Sequence, residues 1–257
     1  MQTDLLLAPV SEAEPCGPDL DEQGDDDYLN YVLGADNRLP QRFLDSETGA
    51  PFDRSAIDLK AEIKAIDGFL EQSRDLRLLT LQARFQALSG QLLGFSESVQ
   101  AIAALLEARW EQVHPQGQDG DFTLRQNTIG VLEDRTTVVL PLQYAPVLRD
   151  QRAGPISLRD YHIATGAAKA REDERTLDIN QIIETLRSET HRASVDELHA
   201  SMTALRDALR TIGNTFGTST DYSFAADFEL LSDTAAQLLK FIESGRSDLK
   251  ADGGAGA

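Results

Sequence analysis

The apolar positions of this chain recur at helical spacing over most of its length. They step by three and four residues, which turns one face of a helix toward a core. The predicted helices cover Leu59–Leu70, Leu76–Leu92, Val99–Val113, Thr123–Asp134, Ile179–Leu186, Leu198–Ile212 and Phe224–Ile242. The pattern predicts an all-α fold, an irregular helical bundle of about seven to eight helices.

One segment between these helices has a different pattern. Thr136–Leu148 is rich in β-branched and aromatic residues. Tyr144–Leu148 and Ile156–Leu158 flank Arg149–Pro155, which contains a Gly-Pro pair. We therefore expect a small β-hairpin there.

Two signals near the C-terminal helices predict where those helices begin and end. Ser194 and Glu197 have the spacing of a capping box, which satisfies two free amides at a helix start. Residues Gly213–Tyr222 are rich in glycine, threonine and serine. We therefore expect a helix to begin at Ser194 and residues Gly213–Tyr222 to form a loop before the last helix.

The N-terminal fifth is broken by prolines and glycines, with one short helix expected near Asp26–Leu33. We predict that residues 1–53 form an extended arm packed on the body. A helical domain is expected over 54–245, with a sub-boundary near 135–176, followed by a flexible tail or linker over 246–257.

Charge narrows the range of partners. The 257 residues carry a formal net charge of −19, and residues 1–53 alone hold thirteen acids and two bases. Such a field repels phosphate backbones and anionic lipids, so we expect neither nucleic-acid binding nor membrane insertion. No apolar run approaches the roughly 20 residues of a membrane span, and the first residues lack a basic signal region. These features predict a cytoplasmic protein.

No pattern of catalytic or cofactor-binding residues is present in the sequence. The nucleophile elbow, the phosphate-binding loop, the dinucleotide-binding turn and the two-histidine zinc helix are all absent. Cys16 is the single cysteine, which excludes an intrachain disulfide. We therefore nominate no catalytic residue, no metal ligand and no cofactor.

The acidic stretch 19–30 invites one comparison with a metal site. It places acids at positions 1, 3, 7 and 9 and a glycine at position 6, as in a calcium-binding loop. Position 12 is Asn30, which cannot supply the bidentate carboxylate, and position 8 is Asp26, where an apolar residue is expected. We favour a solvated acidic loop over a calcium site.

Three separated segments together resemble one known family. They contain Pro-Cys-Gly-Pro-Asp-Leu at 15–20, Ser-Arg-Asp-Leu-Arg at 73–77, and Arg-Trp-Glu-Gln-Val-His-Pro at 109–115, followed by Leu-Arg-Gln-Asn at 124–127. Their order and spacing resemble the ImpA N-terminal domain family, found in TssA proteins of bacterial type VI secretion systems. The residues that carry the resemblance are Pro15, Cys16, Gly17, Asp19, Leu20, Asp75, Leu76, Arg77, Trp110, Val113, His114, Pro115, Arg125 and Asn127.

The resemblance implies a non-enzymatic scaffold subunit that contacts baseplate, sheath or tube components of the secretion apparatus. In this family ring-type self-assembly lies in a C-terminal region, so it is doubtful for a chain that ends soon after its last helix. Two alternatives stay open from the residues alone. One is a general helical adaptor unrelated to secretion, and the other is a carboxylate- or metal-dependent hydrolase.

The motif residues also have physical roles of their own. Trp110 lies on an apolar stripe and is expected in the core. His114 precedes a proline, which ends the helix before it. Arg125 and Asn127 are expected to bind the turn after that helix or the arm. Asp75 precedes a helix, where a carboxylate suits the free amides and the positive end of the helix dipole.

Overall fold

The computed structural model describes residues 3–172 and 174–250. Eleven α-helices lie within them, eight of which have at least eight residues. They are α1 (Thr3–Leu7), α2 (Asp26–Arg38), α3 (Leu59–Leu70), α4 (Leu76–Leu88), α5 (Leu92–Arg109), α6 (Thr123–Gly130), α7 (Leu140–Tyr144), α8 (Leu158–Ala164), α9 (Ile179–Arg187), α10 (Arg192–Ser219) and α11 (Glu229–Gly245). The predicted helical bundle with a small hairpin is confirmed.

Helix α4 lies at the centre of the core. Ten of its thirteen residues are buried, because it packs against α3 on one side and α5 on another. Helix α10 packs along α5, where the Ser96 hydroxyl donates a hydrogen bond to the Ser201 carbonyl at 2.8 Å. Helix α11 then covers α10. Because neighbouring helices cover α4 on more than one side, apolar residues occur on more than one of its faces.

The predicted hairpin is present. Strand β1 (Pro146–Asp150) pairs antiparallel with β2 (Gly154–Ser157). The Asp150 carboxylate closes the turn by accepting from the amides of Arg152 and Ala153, each at 2.8 Å. The β-branched residues before the hairpin are not strand, since Arg135–Val139 forms a π-helical turn that leads into α7.

The capping box predicted at Ser194 is wrong. Helix α10 begins two residues earlier, and the Ser194 hydroxyl donates to the His191 carbonyl instead. A capping box does occur at the start of α8, where the Ser157 side chain and the Asp160 carboxylate exchange hydrogen bonds with each other's amides. A favourable spacing is therefore not enough to fix a helix start.

The loop predicted over Gly213–Tyr222 is also wrong, because α10 continues to Ser219. Buried Phe216 stabilises this extension by packing edge-on against Trp110, with ring centroids 5.1 Å apart. Gly213 allows close approach of another segment, since a Cβ there would lie 3.2 Å from the Ala226 carbonyl oxygen. Gly213 therefore permits close packing inside the helix and does not mark a turn.

Helix α11 starts later than its apolar stripe suggested, at Glu229 rather than near Phe224. Its first amides are capped from a distant segment. The Glu133 carboxylate accepts from the amides of Leu230 and Leu231 at 2.9 and 2.8 Å. Phe224 lies in the preceding loop and packs on Phe122, with centroids 5.9 Å apart.

Within the described residues, both terminal segments have more structure than the sequence predicted. The N-terminal segment contains α1 and the full thirteen-residue α2, and is anchored by buried apolar side chains that include Leu6, Tyr28 and Phe43. The flexible tail predicted from residue 246 is wrong for residues 246–250. Arg246 is buried there and its guanidinium contacts Asp196 and Asp248, each at 2.7 Å. The rest of that predicted tail lies outside the described residues.

None of the described helices has the length and apolar character needed to cross a bilayer.

Candidate functional site

The three motif segments meet in one place, which we call the motif junction: residues 15–21, 73–77 and 110–115, with Arg125. Backbone hydrogen bonds connect them directly. The Arg74 amide donates to the Cys16 carbonyl at 2.7 Å, and the Leu76 amide donates to the His114 carbonyl at 2.8 Å. The segment before α4 therefore lies between the arm and the end of α5.

Gly17 allows the arm to approach this closely. Its φ is +67°, a left-handed conformation that favours glycine, and a Cβ there would lie 2.0 Å from the Gln72 carbonyl oxygen. The His114 ring contacts the same turn, with Nε2 2.9 Å from the Gly17 carbonyl oxygen. Any larger residue at position 17 would separate the arm from the body.

Arg74 attaches the first helix of the arm to the body. Its buried guanidinium donates to the carbonyls of Leu5, Leu6 and Ala8 at 2.7 to 3.1 Å, and to that of Leu70 at the end of α3. These carbonyls lack partners within their own helices, so one cation satisfies the ends of two helices. Burial lowers the pKa of Arg74 below its ordinary value.

Arg77 forms ion pairs with three carboxylates. It contacts Asp19 through Nη2, Asp21 through Nη1 at 2.8 Å, and Asp75 through Nη2 at 2.8 Å. Burial alone would lower the pKa of Arg77, but the charges of Asp75 and Asp19 raise it above its ordinary value. Two acids of the arm are thereby fixed to the start of α4.

Asp75 caps α4 and is fully buried. It accepts from the Arg77 amide at 2.8 Å, and its other oxygen accepts from the Tyr28 hydroxyl at 2.9 Å. Burial raises the pKa of the Asp75 carboxyl, and the charge and hydrogen bonds of Arg77 oppose that rise. Burial and the Asp75 carboxylate raise the pKa of Tyr28 above its ordinary value.

Arg125 forms the second half of the junction without any acid in contact. It is fully buried and donates to the carbonyls of Trp110, Val113 and Pro115 at 2.7, 2.7 and 2.8 Å. Its guanidinium carbon also lies 4.6 Å from the centroid of the Trp110 ring. Burial lowers the pKa of Arg125 to about 10. The hydrogen bonds predicted between Arg125 and the turn after α5 are present.

The remaining motif residues divide into core and surface. Cys16, Leu20, Leu76 and Val113 are buried, and burial raises the pKa of the Cys16 thiol. The Pro15 carbonyl accepts from the Val10 amide, and the peptide bond before Pro115 is cis. The prediction for Asn127 is wrong: it is exposed, and its side chain makes no hydrogen bond to the turn after α5.

In the acidic stretch 19–30, the carboxylates of Asp19, Asp21 and Asp25 bind other groups of the protein. Asp19 accepts from the amides of Asp21 and Glu22 as well as from Arg77, and Asp25 caps α2 by accepting from the Tyr28 amide at 2.8 Å. Among residues 3–172 and 174–250, no three histidine, cysteine or acidic side chains are grouped as metal ligands.

Two residues of the junction were not predicted from the sequence. Arg74 lies inside a motif segment, but nothing in the sequence indicated that it would bind four carbonyls. Tyr28 looked like an apolar anchor, and its hydroxyl partner is 47 residues away. The usable signal for Arg74 was the charge itself, since an arginine between buried helices must find acceptors.

In chemical terms the junction is a set of hydrogen bonds and ion pairs that attaches the arm to the helical body. Its charged side chains are bound to each other, to carbonyls or to helix amides. The fold and this junction define a mostly helical domain with a clamped N-terminal arm.

Comparison with known proteins agrees with this description. Residues 7–134 match the family model described as ImpA, N-terminal, type VI secretion system. The fold is similar to a solved structure of the N-terminal domain, including the conserved ImpA_N region, of the TssA component of the type VI secretion system from Burkholderia cenocepacia. That similarity has a TM-score of 0.70 at 22% sequence identity, and covers 97% of this chain and 95% of that chain. No curated protein matches the chain.

Through residues 7–134 the chain belongs to the ImpA N-terminal family of type VI secretion systems. The matched region contains the whole motif junction.

Proposed function

We propose that this chain is a non-enzymatic assembly subunit of a type VI secretion apparatus, acting in the cytoplasm through contacts with baseplate, sheath or tube components. The family match over residues 7–134 is the observation that carries the proposal. The geometry is consistent with an assembly role, because the charged residues of the junction bind other parts of the protein and attach the arm to the helical body.

The proposal is tested in a bacterium that carries this gene and an active secretion system. Deleting the gene is expected to abolish release of the tube protein and to reduce the number of assembled sheaths seen by fluorescence microscopy. Re-expression of the wild-type chain should restore both. Normal sheath number and normal release in the deletion strain would reject the proposed function.

Direct contact is tested separately with purified components. The immobilised chain is mixed with each baseplate, sheath and tube protein in turn, and a matched immobilised protein of similar negative charge serves as control. Retention of at least one component by this chain alone is the expected result. Equal retention on both surfaces would indicate charge-driven adhesion and contradict a specific contact.

A further inference from the structure

Helix α2 is attached to the body through one face. Tyr28 and Ala35 are buried on that face, and Tyr28 packs edge-on against Phe69 with ring centroids 5.7 Å apart. The Tyr31 hydroxyl donates to the Glu62 carboxylate at 2.8 Å. Arg38 forms an ion pair with the same carboxylate. These contacts fix which side of α2 faces outward.

The outward side carries two leucines one helical turn apart. Leu29 is 39% exposed and Leu33 is 67% exposed, the second highest exposure among the large apolar side chains in the described part of the chain. Asp26 and Asp36 lie on the same face at either end of this pair, and both are exposed. We call Asp26, Leu29, Leu33 and Asp36 the outer face of α2.

The charge around this face is strongly one-sided. Seven acids and no base occur between residues 19 and 37. Arg77 neutralises Asp19 and Asp21, whereas Asp26 and Asp27 form no ion pair with any described residue. Asp36 has only a distant partner, at 3.8 Å. Two exposed leucines are thus bordered by Asp26, which forms no ion pair with a described residue, and by Asp36, whose partner Arg84 is 3.8 Å away.

We propose that the outer face of α2 docks a basic amphipathic helix of a partner protein. Two leucines at positions i and i+4 form one ridge, and such a ridge packs into the groove between rows of side chains on another helix. Lysine or arginine residues beside the apolar stripe of that helix would pair with Asp26 at one end and with Asp36 at the other. This inference rests on the proposed function and names the chemistry of one partner surface.

The charge disfavours the competing occupants. A second copy would bring another molecule of net charge −19 against an acidic face, and like charges in contact oppose association. Nucleic acid and anionic lipid are repelled for the same reason. A basic protein helix is the occupant that satisfies both the leucines and the carboxylates.

The test uses a fluorescent 18-residue peptide built from leucine and lysine, with leucines at helical i, i+3, i+4 and i+7 spacing. A second peptide has glutamate in place of lysine. Binding to the full chain is measured by fluorescence anisotropy at several salt concentrations. The lysine peptide is expected to bind, more weakly as salt rises, and the glutamate peptide is not. Failure of the lysine peptide to bind would overturn the inference.

The apolar contribution is tested with the double variant Leu29→Gln/Leu33→Gln. Glutamine keeps helix propensity close to that of leucine, and both side chains point outward, so the fold is expected to persist by circular dichroism. Affinity for the lysine peptide should fall by about tenfold or more, because burial of the leucines is lost. The matched control is Leu124→Gln, a 56% exposed leucine on α6. An equal loss in both variants would overturn the inference.

The charge contribution is tested with Asp26→Asn/Asp36→Asn. The matched control is Glu97→Gln/Glu107→Gln, which removes two exposed carboxylates of α5 that form no ion pair with a described residue. Both variants change net charge by the same amount. The α2 variant should lose several-fold more affinity at low salt and show a weaker salt dependence. Identical salt curves for the two variants would mean that only total charge matters, which contradicts docking on α2.

The same leucine variant separates this inference from the proposed function in the retention assay with purified secretion components. Retention by the wild-type chain and loss by Leu29→Gln/Leu33→Gln supports both. Retention by both chains overturns the docking face and leaves the proposed function standing. Retention by neither overturns the proposed function, and with it the partner inferred here.

Discussion

Arg77 and Arg125 lie in the same junction, yet the protein surrounds them in different ways. Arg77 contacts three carboxylates, and their charge raises its pKa. Arg125 contacts three carbonyls and two aromatic rings, and burial lowers its pKa to about 10. Carboxylates bind the cation at the first site, and neutral groups, carbonyl oxygens and aromatic rings, bind it at the second.

The two sites have different structural roles. The carboxylates around Arg77 come from the arm and from the start of α4, so this site joins two segments that are distant in sequence. The carbonyls around Arg125 all belong to the end of α5 and the turn after it. Arg125 therefore shapes a single helix end, while Arg77 connects the arm to the body. The following predictions break one site and leave the other in place.

The largest effect is expected for Arg125→Met. Three buried carbonyls would lose their donors, and methionine cannot replace them. We expect the free energy of unfolding to fall by about 3–5 kcal/mol, measured by urea denaturation with an unchanged m-value. Arg125→Lys should recover part of the loss, since an ammonium carries three donors but lacks the planar fork.

The control for this change is Arg210→Met, which removes an arginine whose side chain is 71% exposed. Its effect on the free energy of unfolding should stay within about 0.5 kcal/mol. A loss of stability at Arg125 as small as that at Arg210 would show that water satisfies the three carbonyls. That result would contradict the role given to Arg125 in the comparison with Arg77.

A second prediction separates the arm from the body at Gly17. Alanine there meets both a left-handed φ and the Gln72 carbonyl, so Gly17→Ala should cost about 3 kcal/mol and weaken the Arg77 site. Gly24→Ala is the matched control, because Gly24 has nearly the same φ of +68° and a Cβ there would meet no atom within 4 Å. It should cost only about 1 kcal/mol.

Limited proteolysis of the arm gives the structural readout for this pair of variants. Cleavage within residues 8–25 should accelerate in Gly17→Ala and stay close to wild type in Gly24→Ala. Equal costs and equal cleavage in the two variants would mean that backbone conformation, rather than the contact with Gln72, is the constraint at position 17.

A third prediction removes one acid from the Arg77 site. Asp75→Asn keeps the shape of the side chain and its cap to the Arg77 amide, but leaves Arg77 with only the two acids of the arm. We expect a loss of about 2 kcal/mol in the free energy of unfolding. The double variant Asp75→Asn/Arg77→Met should lose less than the sum of the two single variants, because the partners act on each other. Additive losses would show that the ion pair is not coupled.

The sequence predicted the parts of this fold that depend on local periodicity. The stripes of α3, α4, α5 and α11 and the hairpin were all recognisable, although α5 begins at Leu92 rather than Val99 and α11 at Glu229 rather than Phe224. The errors at Ser194 and Gly213–Tyr222 share one cause: local signals were overridden by tertiary packing. Phe216 keeps α10 helical by packing on Trp110, which lies 106 residues earlier.

For the site, sequence reasoning found the residues but not their arrangement. The family motifs nominated Asp75, Arg77 and Arg125, and the position of Asp75 before an apolar stripe predicted its cap. Nothing local distinguishes an arginine that will meet acids from one that will meet carbonyls, because the partners are brought by the fold. The exposure of Leu29 and Leu33 was equally hidden, since a short helix was expected near Asp26–Leu33 but the sequence did not show which of its sides faces the body.

The smallest effect is a pH dependence specific to the Arg77 site. The pKa of Tyr28 is raised above its ordinary value of 10 by burial and by Asp75. Below pH 10 the hydroxyl is protonated in both folded and unfolded chains, so its contribution to stability is complete. Above pH 10 only the unfolded chain releases the proton, and stability falls by about 1.4 kcal/mol per pH unit for this group. Tyr28→Phe should be less stable than wild type at pH 8, and this difference in the free energy of unfolding should narrow between pH 10 and 11.

The control is Tyr222→Phe, at an 81% exposed ring, which should follow the wild type throughout. Urea denaturation across this pH range measures the difference from wild type, and a constant difference between wild type and Tyr28→Phe would show that the Tyr28 proton is not linked to folding.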